Sequence, residues 1–87
     1  MDIWASILEC LISGKATMNK IRISANLNQK GAEKHLKEMI ARGLIQRNRE
    51  RFVNYSISVE GIRWLKIYRS LTNNESRKAY ELRVDFQ

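Results

Sequence analysis

At Gly43 the hydrophobic period of this chain changes. Upstream, apolar residues recur at helical spacing. Ile3, Ile7, Cys10 and Leu11 form one stripe, widened by Trp4, Leu8 and Ile12. Ile21 and Ala25 form a second, shorter one, and Ala32, Leu36, Met39 and Ile40 a third. Downstream, "LIQRN" and "FVNYSIS" alternate with a period of two. Val53, Tyr55 and Ile57 share one strand face, and Asn54 and Ser56 take the other. Helical spacing returns after Ser58. A chain of 87 residues has room for a single core. The predicted class is therefore mainly α with a small β-hairpin, all packed together.

Cap residues place the boundaries. Asp2 suits the positive end of the first helix, and Ser13-Gly14 ends it. Asn19 is a candidate N-cap for the second helix, with Thr17 competing, and that helix ends near Asn26. Asn28 caps the third, and Gly43 fits the position just past its end. Helix, three-residue turn and helix across residues 20–42 outline a helix-turn-helix. Asn48 to Arg51 join the two strands, and in this setting the hairpin is a wing. A lone hairpin is marginal in water, so Tyr55 and Ile57 must dock it on the helices. Ser58 caps the last helix. Ile62 and Leu65 cover the core, while Trp64, Ile67, Tyr68 and Leu71 widen the apolar surface onto a second face, which has no evident intramolecular partner. From Thr72 two readings stand. Thr72 and Glu75 form a capping box that starts a new helix, or the last helix runs straight on, with Tyr68 and Leu82 at heptad-like spacing. Residues 1–71 are read as the folded domain and residues 72–87 as a helical extension.

The net charge of +7 is uneven. Residues 15–51 hold ten lysines and arginines against three acids, whereas residues 1–14 carry only Asp2 and Glu9. A concentrated basic region suits nucleic acid or an anionic membrane surface, and from charge alone simple solubility explains it equally well. Cys10 is the only cysteine and His35 the only histidine. That excludes an internal disulfide and leaves no cluster for a metal site or a nucleophile–base pair. Neither enzyme activity, a cofactor nor a small-molecule ligand is expected. No apolar run has transmembrane length and the N-terminus lacks a basic leader. A cytoplasmic protein without membrane contact is expected.

The ordered fragments Ile7-Leu8, "NKI…ANL" (residues 19–27), "GLI" (residues 43–45) and "YSISVEG" (residues 55–61) resemble the small archaeal winged helix-turn-helix DNA-binding proteins. The resemblance covers roughly residues 3–71. Asn19 and Ser58 stand where threonine is usual, and the C-terminal segment is shorter and more polar than a good coiled-coil seam. The resemblance implies a homodimer joined through a long C-terminal helix. It also implies binding of double-stranded DNA, as a chromatin protein or a transcription regulator.

On this reading the first half of the third helix enters the major groove. Asn28, Gln29, Lys30 and Lys34, with Lys37 one turn on, are the candidate contacts. Gln suits adenine and Lys suits guanine, while Glu33 either accepts from cytosine or pairs with Lys37. Gly31 in a helix would be explained by close approach to a phosphate or to the second helix. Arg47, Arg49 and Arg51 form the wing contact, and Lys15, Lys20 and Arg22 grip phosphates. Trp4, Trp64, Tyr68, Leu71 and Leu82 are assigned to the dimer interface. The competing class is a winged helix used as a protein–protein interaction module; the lysine-rich third helix favours DNA.

Overall fold

The computed structural model describes the backbone of residues 2–85 and the side chains of residues 2–72. In chain order it forms α1 (Ile3–Ile12), α2 (Met18–Ala25), α3 (Gln29–Ala41), β1 (Ile45–Arg49), β2 (Val53–Ile57) and α4 (Val59–Asp85). This is the expected order of elements.

Two of the four caps, Asn28 and Ser58, are those expected, and Asp2, expected to suit the helix dipole, also caps α1. The Asp2 carboxylate accepts from the Trp4 N–H at 2.8 Å. Asn28 accepts from the Gly31 N–H at 2.7 Å, and Ser58 from the Gly61 N–H at 3.0 Å. Helix α2 differs: its cap is Thr17, whose hydroxyl accepts from the Lys20 N–H, and not Asn19. The cause lies far away in sequence. Ala16 and Tyr55 exchange two backbone hydrogen bonds, of 2.8 and 3.0 Å. The chain is thus still extended at Thr17 (ψ 164°) and can turn helical only after it. Asn19 falls inside the first turn, where it accepts from the Arg22 guanidinium.

Both turns around α3 use left-handed residues. Asn26 ends α2 at φ 55°, and the Leu27 N–H reaches back to the Arg22 carbonyl at 2.8 Å. Asn tolerates this conformation better than other side chains do. Gly43 ends α3 at φ 75°. Its N–H bonds the Ile40 carbonyl, and the Leu44 N–H bonds that of Met39, the double closure of a Schellman motif.

Strands β1 and β2 are antiparallel, with Ile45 opposite Ile57 and Arg47 opposite Tyr55. The wing turn is tighter than expected. Asn48 and Arg49 pair with Asn54 and Val53 inside the ladder, leaving Glu50 to Phe52 as the connection. The Ala16–Tyr55 bridge adds a short third rung on the other side of β2.

The core lies between α1, α2, α3, the hairpin and the first turns of α4. Ile7, Leu8, Leu11, Ile21, Leu36, Met39, Ile45 and Leu65 fill it. The expected stripes are trimmed at their edges: Ile3, Ile12 and Ile40 are exposed, while Ala5 is fully buried. Helix α4 passes through residue 72 without a break, and the Thr72 hydroxyl donates to the Tyr68 carbonyl one turn back. Thr72 is therefore an interior helical residue. The new-helix reading is set aside, and the boundary drawn at residue 71 falls within one helix.

Candidate nucleic-acid interface

Burial of Ala32, Leu36 and Met39 fixes the rotation of α3. Lys30, Lys34 and Lys37 are consequently turned to the surface, with Gln29 and Glu33 beside them. Among the described residues none of these lysines forms an ion pair. Glu33 accepts from the Gln29 amide at 2.9 Å, so its partner lies one turn back and is not Lys37. Asn28 has its carbonyl oxygen occupied by the cap. A methyl group on Gly31 would stand 3.1 Å from that oxygen. Gly31 thus leaves room for the cap of its own helix, and the nearest atoms around it belong to Asn28 and Leu27 rather than to α2.

The wing arginines divide into two groups. Arg47 lies opposite Tyr55 and lines a cavity of about 230 Å³ together with Met18, Glu33, Leu36, Lys37 and Ile40. It stands beside α3, where it extends the lysine row. Arg49 ends β1 and Arg51 sits in the turn, both exposed. Lys20 is exposed on the first turn of α2, whereas Arg22 is half-buried and donates to Asn19 at 2.9 Å.

The turn itself is held by side chains. Glu50 pairs with Lys15 at 2.9 Å and accepts from the Asn54 amide at 3.3 Å. Asn48 in turn donates to Asn54 and Ser56 across the strands. Lys15, expected to grip a phosphate, is thus engaged with the wing. The hydrogen bond from Lys15, the bond from Asn54 and the lysine charge hold the Glu50 carboxyl below 4.5, its ordinary value. The pair's contribution to stability is complete above that value and is lost as pH falls through the lowered one. Carbon-13 NMR should show Glu50 titrating with a midpoint below 4.5, and Lys15→Met should move it upward. An unchanged midpoint in the variant means that the pair does not persist in solution.

Trp4 fastens α3 from behind. Its indole N–H donates to His35 Nδ1 at 3.1 Å, and the Arg42 guanidinium lies 5.2 Å from its ring centre. The bond to Trp4 places the His35 proton on Nε2 in the neutral ring. Trp64 packs on Trp4 at 6.1 Å and stacks on Tyr68 at 5.6 Å. Trp4 therefore has partners within the chain. Leu71 is exposed, and the side chain of Leu82 lies outside those described. Sequence reasoning missed three features: the His35–Trp4 bond, the Lys15–Glu50 pair and the exposed Phe52 at the wing tip. Only Phe52 had a local signal, as an aromatic residue inside a charged turn.

Among the described residues, no group of His, Cys, Asp or Glu could hold a metal ion, and no helix is long and apolar enough to cross a membrane. Similar solved structures share the fold. The transcriptional regulator BldR from Sulfolobus solfataricus superposes with a TM-score of 0.79 at 19% identity, over 91% of this chain and 60% of that one. The S. aureus MepR G34K mutant gives 0.83 at 16%, over 94% and 65%. A homodimeric winged helix-turn-helix DNA-binding domain from Mycobacterium bovis, Mb0332, gives 0.73 at 20%, over 87% and 72%. The chain thus spans less than two thirds of the length of BldR and MepR. Comparison with curated proteins finds no match. The family described as winged helix-turn-helix matches residues 1–76, and the chain belongs to it.

Proposed function

We propose that this chain binds double-stranded DNA as a transcription regulator. Helix α3, with its caps at residues 28–42, lies in the major groove, and wing residues 47–52 lie on the adjacent minor groove or backbone. The observation that carries this reading is the row Lys30, Lys34 and Lys37, exposed and without ion pairs among the described residues. Arg47 continues it from the hairpin. Gln29 and Asn28 are both engaged within the helix, so phosphate contacts by lysine dominate over base reading. BldR is named as a transcriptional regulator and Mb0332 as a DNA-binding domain, which supports the reading.

A salt series with duplex DNA tests it. Each phosphate contact contributes about −0.9 to the slope of log affinity against log salt. Lys30→Ala with Lys34→Ala should weaken binding about 10- to 100-fold at moderate salt and make the slope shallower by about two. No binding by the intact chain at low salt favours the protein-interaction module instead.

The chain is further proposed to act as a homodimer. Trp64, Ile67, Tyr68 and Leu71 line an apolar groove of about 190 Å³ on α4, and Ile67 and Leu71 are exposed. Leu82 follows on the same helix and Trp4 borders the groove through Trp64. Mb0332, with the same fold, is described as homodimeric. Two copies would set two recognition helices about 34 Å apart, or a multiple of that.

A further inference from the structure

Phe52 is 69% exposed at the end of the wing. A single exposed aromatic is ordinary on a protein surface. Three features set this one apart. It closes the turn from Glu50 to Phe52 that joins the two strands, so it belongs to the tip and not to a packed face. Arg49 and Arg51 precede it, both exposed. The tip is also held in place: Asn54 donates to the Phe52 carbonyl at 3.5 Å and to Glu50 at 3.3 Å, and Glu50 pairs with Lys15. Glu50 alone would repel phosphates; its pairing with Lys15 cancels that charge at the tip.

An apolar side chain among cations, on an ordered tip, matches a groove with anionic lips and less polar walls. The minor groove of duplex DNA has that character, because phosphates rim it and sugars and stacked bases form its sides. Phenylalanine suits the role because few torsions are frozen when it is buried. Proteins that insert such a side chain between base steps exchange part of the stacking for contact with a bent duplex.

We propose that Phe52 is a wedge: it enters the minor groove and partly unstacks one base step, while Arg49 and Arg51 hold the phosphates on either side. This rests on the DNA-binding reading above.

The test uses the full chain and mixed-sequence duplexes of about 30 base pairs, dye-labelled at both ends, with 2-aminopurine placed at successive steps. The intact chain should shorten the end-to-end distance and raise 2-aminopurine fluorescence. Phe52→Ala should weaken binding about tenfold and remove both signals. Its salt slope should match that of the intact chain, because no charge changes. Phe52→Leu should keep part of the bend. If Phe52→Ala binds and bends DNA like the intact chain, the wedge is wrong and the DNA-binding reading stands. If the intact chain binds no duplex at low salt, both fall.

Discussion

Gly61→Ala should lower the thermal midpoint by more than about 12 °C, from roughly 3 kcal/mol of overpacking in a domain of this size. Helix propensity alone predicts the opposite sign, since Ala is favoured over Gly by about 1 kcal/mol inside a helix. The local geometry decides the outcome. A methyl group on Gly61 would overlap the Leu44 carbonyl oxygen and stand 2.8 Å from the Ile57 side chain. That carbonyl is held in place by the Ser58 N–H at 3.0 Å, and the Ser58 hydroxyl proton is shared between it at 2.8 Å and the neighbouring Gly43 carbonyl at 2.6 Å. The same hydroxyl caps α4 at Gly61. Relief therefore means prising α4 away from the end of α3, with Leu65 withdrawn from the core. Gly31→Ala is the matched control. Its new methyl meets the Asn28 cap oxygen at 3.1 Å and Leu27 at an ordinary 3.8 Å, both side-chain atoms, so a slight weakening of the cap set against the gain in helix propensity should keep the change within about 1 kcal/mol. Circular dichroism melts of both variants read the difference. A raised midpoint for Gly61→Ala would falsify this close packing of α4 against Leu44.

Removing residues 72–87 should convert a dimer into a monomer and weaken binding to a two-site duplex by at least about 100-fold. The segment holds three basic and three acidic residues, so the net charge is unchanged by its loss. Any drop in affinity then reflects lost bivalency and not lost phosphate contacts. All the described core residues lie at or before Leu65, so the shortened chain retains its core. Light scattering gives the mass and a gel-shift series gives the affinity. A truncated chain that is still a dimer places the interface before Thr72, on the groove of Trp64, Ile67, Tyr68 and Leu71 with Trp4 at its border. An intact chain that is monomeric at micromolar concentration rules the dimer out.

Much of this fold was legible locally. The change of period at Gly43 separates helices from hairpin, and Asn28 and Ser58 announce their helices because a cap is a contact between near neighbours. What failed depended on contacts distant in sequence. Thr17 prevails over Asn19 because Tyr55, thirty-eight positions further on, holds Ala16 extended. Arg47 reads from the sequence as a wing residue. Only the strand register, with Arg47 opposite Tyr55, brings it beside Lys37. Glu33 reads from the sequence as a partner of cytosine or of Lys37, yet an amide four residues before it, Gln29, meets the same helical spacing and takes the carboxylate. The lysine row itself was legible because the apolar stripe of α3 fixes which residues are left outside.

The double hydrogen bond between Ala16 and Tyr55 makes the strand β2 and the entrance to α2 one unit. Lys15 and Glu50 fasten the same two parts again at the tip. Both fastenings join the hairpin to the entrance of α2, like a caliper with one jaw braced. Ordering the hairpin is then no part of the free energy of binding. A braced jaw also has little tolerance: it should grip a groove of one width well and reject wider or narrower ones, and so discriminate among duplexes by shape before any base edge is touched.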